Sequence, residues 1–272
     1  SFLPANNLED PPDYGNGEVT FQADPALNDL IPEDTREPYD VTEVIRRIVD
    51  DQDYLELQDH FAPNAIIALA RINGKSVGIV ANQPLVMAGV LDINSADKIS
   101  RFVRFCNAFN IPLITLVDVP GFMPGVSQEH GGIIRHGAKM LFSYSASTVP
   151  CITVILRKAY GGAYLAMCGR DLGADRVAAW PTAEIAVMGA EAAVNVIHRK
   201  QIEVADDPEA AKAAFVAEYR EKFSSPYFAA SRSLVDDIIE PQDTRRYLGL
   251  ALASLAHKRE TRPQKKHGLI PL

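Results

Sequence analysis

Two apolar runs, residues 65–72 and 76–82, flank Asn73-Gly74-Lys75. Asn-Gly between such runs predicts a β-hairpin with a tight turn. Downstream the period of apolar positions lengthens from two to 3.6. Ile99, Phe102, Val103, Cys106 and Phe109 share one face of a helix predicted over 95–110, with Ser95 as its N-cap. The unbroken apolar stretches 111–119 and 149–156 have the length and branching of buried strands. Residues 130–147 between them predict a helix entered at Gly131-Gly132.

The same pattern continues to the C-terminus. Residues 159–162 form a predicted loop, and a short helix begins at Ala163. Short strands follow at 176–180 and 184–187, split by Pro181-Thr182, then helices at 190–200, 208–223, 226–234 and 244–258. Upstream, Val41, Val44, Ile45 and Ile48 make the apolar face of a helix capped by Asp40 or Thr42, and 55–58 reads as a short strand. Residues 1–40 carry Pro11-Pro12, Pro25, Pro32 and Pro38, which forbid long regular elements and predict an extended arm. Strands alternating with helices imply an α/β fold whose parallel strands are covered by helices. The expected division is an arm over 1–40 and one domain over 41–272.

Composition narrows the functional classes. The chain has 272 residues, 47% hydrophobic and 23% charged, enough apolar surface for a sizeable core. A net charge of -8 argues against a nucleic-acid surface, which needs Lys and Arg against phosphates. Cys106, Cys151 and Cys168 have no close pairing, so neither a disulfide framework nor a zinc site is expected, and a reducing compartment fits. No apolar run reaches membrane-span length and no leader is visible. The opening Ser1-Phe2-Leu3-Pro4 reads as a cut within a longer protein.

Phosphate-loop, dinucleotide, nucleophile-elbow and His-Glu-x-x-His patterns are all missing. What remains is a pair of glycine-rich turns, each placed after a buried strand. They are Asp118-Val119-Pro120-Gly121-Phe122-Met123-Pro124-Gly125 and Arg157-Lys158-Ala159-Tyr160-Gly161-Gly162-Ala163-Tyr164. Glycines at strand ends let a ligand approach the backbone, and free amides at a helix start bind a negative oxygen. On spacing alone, Gly-Gly before a helix is either such an oxyanion hole or plain turn chemistry.

The second turn resembles the biotin-side signature of the carboxyltransferase β subunits of biotin-dependent acyl-CoA carboxylases. The similarity continues through Leu172-Gly173-Ala174-Asp175 and Ala179-Trp180-Pro181-Thr182-Ala183-Glu184-Ile185-Ala186-Val187-Met188-Gly189. It also takes in Asn82-Gln83-Pro84, the first glycine-rich turn, and Val235-Asp236-Asp237-Ile238-Ile239-Glu240-Pro241. It spans nearly the whole chain, but only the second half of such subunits. The family implies a crotonase-like ββα spiral with flanking helices. It further implies subunits paired head to tail, six in the full-length form, and a biotin carboxylase or biotin carboxyl carrier partner.

Carried over by this resemblance, the amides of Gly162 and Ala163 would be the catalytic groups, holding the ureido oxygen of biotin. Tyr160, Gly161, Gly121, Phe122, Pro124 and Gly125 would line the biotin site, and Leu165 would bear on acyl chain length. Biotin on a partner and an acyl-CoA thioester are the implied cofactor and substrate, with no metal, nucleic acid or membrane. The setting would be bacterial cytoplasm or mitochondrial matrix. Two alternatives stay open: a biotin-dependent acyl-CoA decarboxylase subunit, and an inert fragment acting only in assembly. Trp180 reads as core or as a pocket wall. Arg135, His136 and Lys139 read as a solvated face or as contacts to a CoA phosphate, and Lys265-Lys266-His267 as a solvated tail.

Overall fold

A computed structural model describes residues 1–15, 22–263 and 268–271. The tail cluster Lys265-Lys266-His267 lies outside them. Strands β1 (Tyr54–Leu57), β2 (Ala65–Ile72) and β3 (Lys75–Asn82) form an antiparallel meander, with Ile72 opposite Lys75 across the predicted turn. Beyond it β4 (Leu113–Val119), β5 (Cys151–Tyr160), β6 (Arg176–Ala179), β7 (Glu184–Ala186) and β8 (Asp237–Ile238) all join in parallel. The sheet order is β1-β2-β3-β4-β5-β6-β8, and β7 pairs with the far end of β5. Parallel neighbours need crossovers, and helices supply them.

Among the described residues, ten α-helices cover the sheet. They are α1 (Val41–Ile48), α2 (Ile93–Ala108), α3 (Val126–Gly131), α4 (Ile133–Ala146), α5 (Gly161–Ala166), α6 (Ala190–Ile197), α7 (Arg199–Glu203), α8 (Pro208–Tyr219), α9 (Pro226–Ser231) and α10 (Thr244–Ser254). One face of the sheet buries residues of α2, α4 and α5, among them Ile99, Val103, Met140 and Ala163. The other buries Val41, Val44, Ile45 and Ile48 of α1 with Leu248 and Leu252 of α10. Strand alternation assigns the sides: Cys151, Ile155 and Ala159 of β5 enter the first core, and Ile152, Val154 and Leu156 the second. Each fully buried aliphatic side chain contributes about 1.5–3 kcal/mol. All three cysteines are free and buried, and Trp180 is core, its indole N–H donating to Thr244 Oγ1 at 3.0 Å.

Several boundaries differ from expectation, each for a local reason. Helix α2 starts earlier because Asp92, not Ser95, is its N-cap. The Asp92 carboxylate accepts from the Ser95 amide at 2.9 Å while Ser95 Oγ accepts from the Asp92 amide at 2.8 Å, a reciprocal capping box. The helix predicted over 130–147 is two helices broken at Gly132, whose φ of 90° ends the first and leads into the second. The one predicted over 190–200 breaks at His198 into α6 and α7. Residues 159–162 are not a loop: Ala159 and Tyr160 extend β5 and Gly161 opens α5 directly. Strand β7 makes this possible by pairing Lys158, Ala159 and Tyr160 with Glu184, Ile185 and Ala186.

Candidate functional site

Strands β3, β4, β5 and β7 run parallel, so the connections leaving their C-terminal ends share one edge of the sheet, the usual place for ligands in such folds. Val119 is the β-partner of Ala159, which brings the two glycine-rich segments together. The first is pinned to the β3–α2 connection: the Leu91 amide donates to Gly121 O at 3.1 Å and the Met123 amide to Leu91 O at 2.7 Å. Phe122 is half-buried, its ring against Gly137 of α4. Pro124 and Gly125 are exposed, and a Cβ added at Gly121 or Gly125 would meet nothing within 4 Å.

In the second segment Gly161 has φ 57°, a left-handed conformation that turns strand into helix within one residue. Gly162 is exposed with open space where a Cβ would stand, while the Ala163 side chain is buried. As the second and third residues of α5, Gly162 and Ala163 have amides with no partner one helical turn back. Leu165 is 46% exposed, on the solvent side of the same short helix.

Tyr160 lies elsewhere than on an open face. It is buried, its ring packed on Gly189, and its hydroxyl donates to Glu184, which also pairs with Arg220 at 3.4 Å. Burial, followed by the hydrogen bond to Glu184, pushes its phenol far above the usual range, so it stays protonated. Burial likewise depresses the ammonium of half-buried Lys158, an effect opposed by the negative charge of Asp118. The edge therefore presents main-chain donors and small residues rather than a side-chain base.

A polar network beneath this edge went unnoticed in the sequence. Asn82 Oδ1 accepts from the Asp118 amide at 3.2 Å and Asn82 Nδ2 donates to Gly89 O at 3.2 Å. Asp118 then accepts from Arg157 Nε at 3.0 Å and from the Lys158 amide at 3.1 Å. Arg157 reaches the N-terminal segment, donating to Glu37 O at 2.9 Å and lying 4.8 Å from the Tyr39 ring centroid. Its available signal was an Asp inside the apolar run Leu113–Val119 and an Arg directly after 149–156. His136 and Lys139 are also not a solvated face, because both bond Asp97 of α2 at 2.9 Å, whereas Arg135 is exposed. Among the described residues no cluster of His, Cys, Asp and Glu is arranged to hold a metal, and no helix is long and apolar enough to cross a membrane.

The chain is 60% identical, over its whole length, to the methylmalonyl-CoA carboxyltransferase 12S subunit of Propionibacterium freudenreichii subsp. shermanii, covering 52% of that protein. It is 57% identical to the methylmalonyl-CoA decarboxylase subunit alpha of Propionigenium modestum, again over its whole length and covering 53% of that subunit. The crystal structure of the transcarboxylase 12S hexamer with methylmalonyl-coenzyme A superposes with a TM-score of 0.95, over all of this chain and 52% of that one. The expected crotonase-like α/β class holds. The chain thus spans about half the length of the relatives it matches. A model of the carboxyl transferase domain matches residues 1–270, and the chain belongs to that family.

Proposed function

We propose that this chain is the biotin-side half of a carboxyltransferase subunit, moving a carboxyl group between N-carboxybiotin on a carrier protein and the α-carbon of an acyl-CoA. The observation that carries the reading is the pair of amides at Gly162 and Ala163, at the start of α5 and beside the open glycines of the neighbouring strand end. Biotin, when bound, supplies a ring nitrogen that bears the carboxyl group and a ureido oxygen that gains negative charge as the group leaves. Small residues and paired donors on this edge suit a flat, uncharged ring with one carbonyl oxygen. The two amides would stabilise the developing charge without reorganising. Gly121, Phe122, Pro124 and Gly125 would form one wall of the site. Gly161 sets the direction of the donors, and Tyr160, held by Glu184, fixes that turn from behind. Leu165 would border the path of the acyl group.

The chain would divide into an arm over 1–40 and a domain over 41–272. The acyl-CoA would be held by the other half of a full-length subunit, with subunits paired head to tail and assembled as hexamers in bacterial cytoplasm. A decarboxylase subunit is a second reading, favoured by the 57% identity to the methylmalonyl-CoA decarboxylase subunit alpha. Both readings pass a carboxyl group through the same amide pair and differ in its final acceptor.

The test is transfer from methylmalonyl-CoA or malonyl-CoA to free biotin, assayed on this chain alone and on the full-length subunit. We expect transfer by the full-length subunit and negligible transfer by the chain alone. Robust transfer by the chain alone would overturn the two-halves site, and none by the full-length subunit would overturn the function. Separate assays of the full-length subunit with an acyl-CoA carboxylase partner and with a membrane decarboxylase partner distinguish the two readings.

A further inference from the structure

Lys98 of α2 is 2% exposed, yet its hydrogen bonds among the described residues all go to main chain. Its Nζ lies 3.0 Å from Gln58 O, 2.8 Å from Phe61 O, 3.3 Å from Ala62 O and 2.8 Å from Ala65 O. An ammonium has three protons, so four converging carbonyls exceed its donors and form a coordination shell. The connection from β1 to β2 is bent to make that shell, with Gln58 at φ 55° and Ala62 at φ 47°, left-handed values that cost energy in residues other than glycine. Two of the carbonyls also close local turns, Gln58 O accepting from the Phe61 amide at 2.9 Å and Ala62 O from the Ala65 amide at 3.1 Å, and the ammonium draws all four to one point.

We infer that Gln58, Phe61, Ala62 and Ala65 build a monovalent-cation site that is filled internally by the Lys98 ammonium. The chemistry is that of potassium or ammonium binding, in which carbonyl dipoles replace the hydration shell of a singly charged ion. Joining the ion to α2 makes its occupancy independent of the salt around the protein. The site also serves the functional edge. Asn64, within the caged segment, donates to Val90 O at 2.8 Å and to Asp92 Oδ1 at 3.2 Å, and its carbonyl accepts from the Gln83 amide at 2.9 Å. The cation thus holds in place the connection against which Gly121 and Met123 are pinned.

The experiment is thermal unfolding of the full chain in potassium, ammonium and tetramethylammonium chlorides at equal ionic strength. The wild type should melt at the same temperature in all three. Lys98→Ala should melt about 5–10 °C lower in tetramethylammonium, which is too large for the cage, and recover part of the loss in potassium or ammonium. Lys98→Met, which puts a neutral methyl group at the cage, should be destabilised without recovery. Equal melting of K98A in all three salts, or no loss at all, would overturn the assignment. Should K98A not fold in any salt, the wild type decides by nitrogen-15 NMR of its lysine side chains. An ammonium resonance of Lys98 protected from solvent exchange at neutral pH upholds the site, and the absence of any protected ammonium overturns it.

Discussion

Arg157 Nε and Asp118 Oδ2 meet at 3.0 Å with side-chain exposures of 4% and 1%, forming a charge pair sealed between the ends of two parallel strands. Sealing two charges away from water is costly, and the bonds from the Lys158 amide to the Asp118 carboxylate and from Arg157 to Glu37 O offset that cost. Removing one partner strands the other. Arg157→Met is expected to destabilise by about 3–5 kcal/mol, read from denaturant midpoints. Adding Asp118→Leu to that variant should restore part of the loss, since it removes the stranded charge. Losses that simply add in the double variant would show that the two side chains act independently.

Gly161 carries the sharpest local constraint on the proposed donors. Its φ of 57° disfavours other residues, and a Cβ there would stand 2.8 Å from the carbonyl oxygen of Val187, a main-chain atom that cannot simply swing aside. Gly161→Ala should therefore push β7 from β5 and misdirect the start of α5. We expect a stability loss of about 1–3 kcal/mol together with a drop in transferase rate of roughly tenfold or more in the full-length subunit. An unchanged rate in a destabilised G161A would show that the direction of these amides is irrelevant to turnover.

Gly162 allows a cleaner separation, because the space around it is open. Gly162→Ala keeps the amide and adds a methyl group that meets no atom of this chain, so folding should stay near wild type. Gly162→Pro removes the N–H and should cost at least tenfold in rate, about 1.4 kcal/mol or more of transition-state stabilisation. Circular dichroism checks that both variants fold. Wild-type turnover in a folded G162P would place the donor elsewhere.

Local signals account for what was legible in the sequence and what was not. The Asn73-Gly74 hairpin and the heavily apolar β4 and central β5 were readable because turn chemistry and burial speak within a few residues. The far end of β5 was not. Arg157-Lys158-Ala159-Tyr160 is too polar to look like a strand, and its last three residues stay extended because β7 pairs with them, each with a partner 26 residues later. Strand β8 is two residues long and exists only through its pairing with β6. The same limit hid the role of Lys98, which looks like a polar residue of an amphipathic helix until the backbone of residues 58–65 closes around it. The amide pair was legible only through resemblance, since Gly-Gly before a helix does not by itself imply a ligand.

Asp50 ties three distant segments together and should make stability fall in acid. One oxygen accepts from the Asn73 amide at 3.0 Å and the other from the Gly74 amide at 2.7 Å, and Arg245 of α10 bonds the same carboxylate. Burial alone would raise its pKa, but the bonds from Gly74, Arg245 and Asn73 outweigh burial and hold it below the usual carboxylate value. A folded pKa below the unfolded one means that the unfolded chain binds the proton more readily. The contribution is therefore fully present above the unfolded value of about 4 and is lost as pH falls through the folded pKa. Asp50→Asn should cost about 2 kcal/mol or more at pH 7, because the amide loses its charge and can accept on one side only. Its difference from wild type should stay flat between pH 5 and 8 and shrink below pH 4. Denaturant titrations of both proteins across that range check it, and a difference that widens in acid would reverse the assigned sign.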